Sequence, residues 1–344
     1  MDKPLRIILW IVLLCLTLLL FILDILIGPV TIPLKDILEI AVTGETTNPV
    51  WKTIVIDFRL PKALTAILAG MALSVSGLQM QTIFRNPLAG PYVLGISSGA
   101  SLGVALVILG FSPLFAQGNI NPLSIWVQII AAWIGAALVL ILIMAVSLRV
   151  RDIMTILILG VLFGGATSAI VSILQYFSHQ SQLKAFVVWS MGNLGNVTKD
   201  QLAVLSVTVI AGLILAFFCG KMLNILLLGE SYAKSMGLNI LFSRTAVFIS
   251  TSILAGSVTA FCGPIGFIGI AVPHITRVLF KSSDHRLLIP AVILTGGIVM
   301  LLSDILSQLP GSESTLPVNS VTALIGIPVV IWIIFRNQKI VPAG

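Results

Sequence analysis

Charged side chains are scarce in this sequence. The 19 Lys and Arg and 12 Asp and Glu residues make up 9% of its 344 positions, whereas a soluble domain carries roughly 25%. Hydrophobic residues make up 58%, and the mean hydropathy is +1.14. So few charges exclude an ordinary soluble enzyme, and the composition predicts an integral membrane protein.

Catalytic and cofactor motifs are also lacking. The 3 cysteines stand singly in apolar runs, so neither a disulfide framework nor a Cys-x-x-Cys metal site is expected. The 3 histidines show no His-Glu-x-x-His spacing, and we assign no metal. No Gly-x-x-x-x-Gly-Lys-Ser/Thr loop occurs, so ATP hydrolysis by the P-loop route is excluded. No cofactor is therefore predicted in this chain.

Long apolar runs are abundant instead. A helix needs ~20 apolar residues to cross a ~30 Å hydrocarbon core, and about ten windows approach that length. Together they use up most of the chain, so we predict one all-α transmembrane domain over 1–344, without a soluble catalytic lobe. The windows lie near 7–27, 63–84, 93–111, 125–148, 154–177, 202–218, 245–261, 265–280, 287–306 and 321–335.

The basic residues predict the orientation of the spans. Lys3 and Arg6 precede the first window, which is too long for a signal-peptide core and lacks an Ala-x-Ala site, so it is interpreted as a retained span. If both are cytoplasmic, alternation places most other basic residues on that side, and both termini are expected there. The net charge of +7 then indicates lipid contact rather than nucleic-acid binding. The residues on this side include Arg85, Arg149, Arg151, Lys221, Lys234, Arg244, Lys281, Arg286, Arg336 and Lys339.

A rigid, glycine-rich hinge joins the second and third windows. It follows Arg59-Leu-Pro-Lys62 and a helix rich in small residues, and reads Arg85-Asn-Pro-Leu-Ala-Gly-Pro91. Neither proline of the hinge can continue a helix, while its asparagine and glycine favour a turn. One span is therefore predicted to stop here, and the next to begin near Gly95.

A short polar segment interrupts two apolar runs at 228–239. Glu230 favours a helix N-terminus, and Gly237 can close the helix with a left-handed cap. Ala233 and Met236 give this helix a small apolar face. The segment is therefore predicted to be a short cytoplasmic helix rather than a plain loop.

Glycines and prolines interrupt another apolar run between Gly263 and Arg277. Their density predicts a short, broken helix, which a membrane tolerates only where protein or a cavity satisfies the freed backbone groups. His274 and Arg277 are expected to bond free carbonyls or a neighbouring turn. Asp304, inside a later span, is expected to make a helix-end hydrogen bond, because no chain of Asp, Glu or His leads to it.

Taken in order, these elements resemble the permease family of ABC importers for ferric siderophores, haem and cobalamin, with the type II importer fold. The resemblance implies an all-α bundle of about ten transmembrane helices with short broken helices and a cytoplasmic coupling helix. It also implies a second permease copy, two ATP-binding subunits that hold ATP and Mg, and a periplasmic substrate-binding protein. The implied location is the bacterial inner membrane, and the implied cargo is a metal chelate.

The resemblance assigns roles at the two ends of the molecule. Arg59 and Lys62 are expected at an aqueous outer rim, where they would dock the binding protein. The coupling helix would insert into a groove of the ATPase with its Ala233 and Met236 face. Gln308, Thr315 and Asn319 depart from residues that relatives commonly carry. The residues expected to couple to the ATPase are Gly229, Glu230, Ser231, Ala233, Lys234, Gly237 and Leu238.

The resemblance also implies a transport pathway with a cytoplasmic gate. Asn86 and Leu88 of the hinge, with Asp152 and Thr155 of the loop before the fifth span, would form the gate. Hydroxyls, amides and methionine would let a large, already wrapped chelate slide without tight binding. The residues expected to line the pathway are Thr167, Ser168, Ser172, Gln175, Met191 and Asn193.

Two other classes stay open. Gly95-Ile-Ser-Ser-Gly99 matches the Gly-x-Ser-x-Gly pattern, but an intramembrane serine protease would also need a His beside Ser97, Ser98 or Ser101. The same glycines recur every four residues and favour close helix packing. An ion-coupled secondary transporter would need paired buried acids along a path, and Asp24 and Asp304 look too isolated for that.

Overall fold

A computed structural model describes residues 3–43, 46, 48–110, 121, 123–150, 152–308 and 315–338. Arg151 and Lys339, two of the basic residues used above to orient the spans, lie outside these ranges, as does the side chain of Arg336. The helices are α1 Lys3–Leu26, α2 Leu34–Thr43, α3 Pro49–Thr53, α4 Leu60–Ile83, α5 Ile96–Ala105, α6 Ile125–Arg149, α7 Ile153–Phe177, α8 Gln180–Ser190, α9 Lys199–Leu227, α10 Glu230–Ser235, α11 Ile240–Cys262, α12 Ile268–Phe280, α13 His285–Ser307 and α14 Val318–Gln338.

The helices confirm the predicted all-α fold. In the described chain, 7 helices are long and apolar enough to cross a membrane, and 3 shorter apolar helices match the remaining windows. The shorter ones comprise α12, α14 and the stretch Ile96–Gly110, which continues α5 through a π-helical turn. Another π-helical segment, Ile54–Arg59, joins α3 to α4. Each of the ten predicted windows therefore corresponds to one apolar helix.

Helix α4 lies at the centre of the bundle. In its most apolar stretch 78% of the residues are buried, and it packs against α9, α11, α12 and α13. Its small residues explain the close approach: a Cβ on Gly70 would overlap the carbonyl of Gly296 in α13, and one on Gly77 would overlap that of Gly269 in α12. The small-residue pattern of this span therefore permits direct contact between helix backbones.

Close backbone contact at glycines also joins α5 to α6. A Cβ on Gly99 would meet the carbonyl oxygen of Gly135, and one on Gly103 would overlap that of Ala131. The Gly-x-Ser-x-Gly stretch thus opens a packed helix, as its four-residue glycine spacing predicts. In the described part of the chain, His274 bonds Pro87, and His285 bonds Thr82 and Asn224, rather than the serines of this stretch.

The glycine-rich run predicted to break does so between α11 and α12. Gly263 adopts a positive φ of 74°, and residues 264–267 are not helical. The freed backbone groups find protein partners: the Ile265 N–H donates to the Tyr92 hydroxyl at 3.2 Å, and the Gly266 N–H donates to Asn319 Oδ1 at 2.9 Å. A non-helical segment inside a membrane needs protein partners for its backbone polar groups, and these bonds provide them.

Burial falls sharply from the centre to the edge of the bundle. Only 11% of the most apolar stretch of α7 is buried, and 17% of that of α1. Most exposed side chains of α1 are large and apolar, whereas α7 also exposes Ser168 and Ser172. The surface of α1 suits lipid, and the mixed surface of α7 suits another protein or water.

Candidate functional site

The hinge at 85–91, here called the gate turn after its expected role, is held by its own Asn86 side chain and by His274 of α12. Asn86 Oδ1 accepts a hydrogen bond from the Leu88 N–H at 2.9 Å, and His274 Nε2 lies 2.8 Å from the Pro87 carbonyl oxygen. Arg277 donates to Gln81 Oε1 at 2.6 Å, one turn before the end of α4. The predicted contact of His274 with a neighbouring turn is thus confirmed, whereas Arg277 bonds a side chain of α4 rather than a free carbonyl or a turn. Leu88 remains 39% exposed beside these bonds.

Asp152 caps the N-terminus of α7, close to where the expected gate residue Thr155 lies. Its carboxylate accepts the Met154 N–H at 3.3 Å, and the N–H and hydroxyl of Thr155 at 2.9 and 2.7 Å. The hydroxyl and N–H of Thr155 hold the pKa of Asp152 below its ordinary value, so the cap stays ionised near neutral pH. The pair therefore fixes the start of the helix that carries the expected pathway residues.

The expected pathway residues divide into two groups. Ser168 and Ser172 are exposed on α7, and Thr167 and Gln175 are partly buried there. Thr167 and Ser172 donate their hydroxyls to carbonyls of their own helix, at 2.9 and 3.0 Å. The other group, Met191 and Asn193, lies just after α8, and both residues are exposed.

The predicted short helix is α10, and its caps are as expected. Gly229 before it has a φ of +113°, and Gly237 after it has a φ of +81°. The Gly237 N–H donates to the Lys234 carbonyl at 2.9 Å, and the Leu238 N–H donates to the Ala233 carbonyl at 3.0 Å. These two bonds form a Schellman motif. Glu230 also pairs with Arg244 of α11 at 2.5 Å, which ties the helix to the bundle.

The orientation expected for α10 is wrong in one respect. Ala233 is fully buried against its own chain, so it cannot form an apolar face toward another protein. The exposed apolar side chains are Tyr232 and Met236, each 55% exposed, with Leu228 just before the helix. Helical spacing alone does not tell which face meets the bundle: of the two residues of the expected face, the structure buries Ala233 and exposes Met236. Of the other residues expected to couple, Ser231 and Lys234 are exposed.

The placement expected for Arg59 is also wrong. Its side chain is buried rather than exposed at an aqueous rim. The guanidinium donates to the carbonyls of Ile25 at 2.8 Å and Leu26 at 3.0 Å, and to that of Val30. These carbonyls belong to the last turn of α1 and the chain just after it, so Arg59 caps a helix end.

Lys62 lies at the same end of α4 and is partly exposed. Its Nζ pairs with Asp304 Oδ2 at 3.0 Å, and Gln308 Nε2 donates to the carboxylates of both Asp24 and Asp304. Asp304 therefore does more than bond its own helix end, and the two acids expected to be isolated lie together. These four residues come from α1, α4 and α13 with its C-terminal cap.

The Lys62 cavity, as we call it, brings the expected docking pair and part of the expected pathway together. It has a volume of about 570 Å³. The gate turn follows the other end of α4, about 36 Å away for 24 residues at 1.5 Å each. The residues that line the Lys62 cavity include Arg59, Lys62, Met191, Asn193, Asp304 and Gln308.

Three residues of this arrangement escaped the sequence reasoning. Arg244 was counted only as a basic anchor, Gln308 only as a departure from relatives, and Asp24 only as an isolated acid. Each is a polar residue in or beside an apolar run, but the local pattern does not identify its partner, which lies 14 residues away for Arg244 and 284 residues away for Gln308 and Asp24. Only the fold shows which polar residues meet.

The fold and these sites define a class of protein: a polytopic, all-α membrane protein with a short capped helix, α10, and a polar cavity at one end of its central helix α4. Comparison with known proteins gives the family. The chain matches the FecCD transport family over residues 16–336 and belongs to it. It is therefore an ABC transporter permease.

Two curated relatives show the breadth of this family. The chain is 35% identical to the hemin transport system permease protein HmuU of Yersinia pestis over 298 residues, covering 86% of this chain and 87% of that protein. It is 36% identical to the vitamin B12 import system permease protein BtuC of Salmonella paratyphi A over 284 residues, covering 82% and 84%. The two names give different cargoes at nearly equal identity.

A solved structure supports the fold. An inward-facing metal-chelate type ABC transporter superposes with a TM-score of 0.80 at 28% identity, covering 94% of this chain and 99% of that one. Family membership argues against the serine-protease and secondary-transporter alternatives, because both belong to other classes of protein.

Proposed function

We propose that this chain is the membrane-spanning subunit of an ATP-driven importer that carries a metal chelate from the periplasm to the cytoplasm. The observation that carries the proposal is the family match over residues 16–336, together with relatives named for haem and vitamin B12 transport. The subunit would lie in a bacterial inner membrane with both termini in the cytoplasm. Two ATP-binding subunits and a periplasmic binding protein would complete the transporter.

The exposed face of α7 supports a pathway between two copies of the chain. A helix that is only 11% buried and displays Ser168 and Ser172 is a poor match for lipid alone. A second copy facing this helix would enclose a corridor with hydroxyls and the Gln175 amide along its walls. Such a wall offers many weak contacts, which suits a bulky chelate that must pass without being trapped.

Helix α10 supports coupling to an ATPase. Its caps fix its length, the pair between Glu230 and Arg244 fixes it to α11, and Tyr232 and Met236 face outward. Exposed aromatic and methionine side chains on a rigid helix fit a groove on a partner protein. Movement of the ATPase would thereby reach α11 without bending α10.

ATP-dependent uptake by purified protein tests the whole proposal. The chain, its ATP-binding subunit and its binding protein would be reconstituted in liposomes and offered haem, cobalamin or a ferric siderophore. We expect accumulation of one chelate class that requires both ATP and the binding protein. Accumulation driven by an ion gradient without ATP would refute the importer assignment.

Aspartate at Met236 is expected to uncouple transport without unfolding the protein. Met236→Asp adds a charge on the exposed face of α10, where it would be desolvated only in the complex, at a cost of about 2–5 kcal/mol or a loss of at least tenfold in ATPase affinity. Ala233→Asp is the matched control, because its carboxylate would be buried within the permease itself. The measurements are copurification of the ATPase and thermal unfolding in detergent. An unfolded Met236→Asp protein, or one that retains the ATPase, would contradict this orientation of α10.

Leu88 is expected to meet its copy across the closed gate. This exposed leucine is held by the Asn86 turn, and the described residues do not cover it fully, so it would be free to close the pathway as an apolar plug. Leu88→Cys in a Cys15→Ser background should crosslink to its copy in the nucleotide-free transporter and several-fold less in the state that releases cargo. Lys221→Cys, on an exposed site of α9, is the control. An active transporter that shows no Leu88 crosslink in any nucleotide state removes Leu88 from the gate.

A further inference from the structure

Two buried carboxyl groups lie together beside the Lys62 cavity. Asp24 of α1 is 2% exposed, and Asp304 of α13 is 1% exposed. Both accept from the same amide: Gln308 Nε2 lies 3.0 Å from Asp24 Oδ1 and 3.2 Å from Asp304 Oδ2. One donor group thus serves two acids that are 280 residues apart, and we call Asp24 and Asp304 the acid pair.

The hydrogen-bond donors around the acid pair are too few for two carboxylates. Asp304 Oδ2 also pairs with Lys62 Nζ, and Ser307 Oγ lies 3.4 Å from Asp304 Oδ1. Asp24 Oδ2 is buried, and no described residue donates to it. A buried carboxylate oxygen without a donor costs several kcal/mol, and a second negative charge beside it adds to that cost.

Neighbouring cations do not supply the hydrogen-bond donor that Asp24 lacks. The charged groups that act on Asp24 come from the three elements with the most contacts to α1: Asp304 from α13, Lys62 from α4 and Arg59 from the π-helical segment. Lys62 makes its ion pair with Asp304 rather than Asp24. The Arg59 guanidinium donates hydrogen bonds to the carbonyls of Ile25, Leu26 and Val30 rather than to Asp24. Asp24 is therefore left with one amide and no hydrogen-bonded cation among the described residues.

We propose that the acid pair is a proton-binding site, with the proton on Asp24 and the negative charge on Asp304. A proton on Asp24 Oδ2 turns the atom that lacks a donor into a donor itself, and it removes the repulsion between the two carboxylates. The ammonium group of Lys62 lies 3.0 Å from Asp304 Oδ2 and compensates the negative charge there. The Lys62 cavity, whose lining includes Asp304 and Gln308, gives water a route to the pair.

Proton binding changes the charge at the end of α4. Counting Arg59, Lys62, Asp24 and Asp304, the group carries a net charge of about +1 with the proton and about 0 without it. If the cavity faces the periplasm, which rests on the proposed function, an acidic docking partner would favour the protonated form. By linkage, the proton would favour the partner to the same degree.

Infrared spectroscopy of the permease alone tests the site without any partner or cargo. We expect a C=O stretching band of a protonated carboxyl group near neutral pH, which shifts in D₂O and disappears as the pH is raised. Asp24→Asn should abolish this band, whereas Asp57→Asn, at an exposed acid paired with Lys199, should leave it unchanged. Absence of the band from the folded wild-type protein, or its persistence in Asp24→Asn, would overturn the proposal.

Stability gives a second readout that does not depend on assigning a band. If folding traps a proton, the unfolding temperature of the wild-type protein should fall as pH rises through the titration of the pair, because the folded state binds more protons than the unfolded state. Asp24→Asn mimics the protonated form and should flatten this dependence. If that variant does not fold, Asp304→Asn should move the wild-type infrared band rather than preserve it. A band or a stability that responds to sodium instead of pH would identify a metal cation and reject the proton.

Discussion

A single methyl group at Gly77 is expected to prevent stable folding. In Gly77→Ala, the added Cβ overlaps the carbonyl group of Gly269, a backbone atom that no rotamer change can move aside. Overpacking of this kind typically costs 1–3 kcal/mol when side chains can adjust, so we expect a loss of about 3 kcal/mol or more here. The measurement is the yield of monodisperse protein in detergent and its thermal unfolding temperature.

Gly165→Ala is the matched control for this change. Gly165 lies in α7, also a membrane span, and a Cβ built on it meets nothing within 4 Å. Because alanine is the better helix former by about 1 kcal/mol, this variant should be unaffected or slightly stabilised. If both variants unfold at the same temperature, α4 and α12 do not touch along their backbones.

Reversal of the charge at Arg59 is the second change with a large expected effect. Arg59→Glu removes the donors that satisfy the carbonyls of Ile25, Leu26 and Val30, and places a carboxylate near Asp24. A buried, unpaired charge of this kind costs about 3–5 kcal/mol. The protein should therefore lose stability in detergent before any docking partner is added.

Lys52→Glu makes the same charge change at an exposed site on the neighbouring helix α3. Exposed charges contribute about 1 kcal/mol or less, so its unfolding temperature should match that of the wild type. If Arg59→Glu is as stable as Lys52→Glu, Arg59 lies at an aqueous rim and is not buried. Lys62, which is partly exposed, is the better of the two residues for probing docking by mutation.

The fold could be predicted from local patterns in the sequence. The apolar windows predicted the ten apolar helices of the described chain, because a bilayer demands length and hydropathy from each span separately. The caps of α10 were predictable for a similar reason, since Gly229, Glu230 and Gly237 act within one short segment. The break after Cys262 follows from the run of glycine and proline itself.

The sites that depend on long-range contacts could not be predicted in this way. Gln308 bonds Asp24, which lies 284 residues before it in the chain, and nothing near Asp24 or Asp304 in the sequence indicates the other acid. The buried face of α10 is a comparable case, because Ala233 and Met236 are both apolar and only packing against the bundle distinguishes them. The roles of the residues on α7 depend on a second copy, which the sequence of one chain does not describe.

The direct backbone contacts of α4 also restrict how the molecule can move. Where Gly70 and Gly77 lie against neighbouring backbones, no side chain can change rotamer to absorb a sliding motion, so α4, α12 and α13 are expected to travel as one rigid body. Freedom of motion then resides in non-helical joints such as 263–267 and the gate turn. A displacement of α10 would reach this rigid body through α11, which packs against α4. If the body rotates about those joints, the two ends of α4 move in opposite directions.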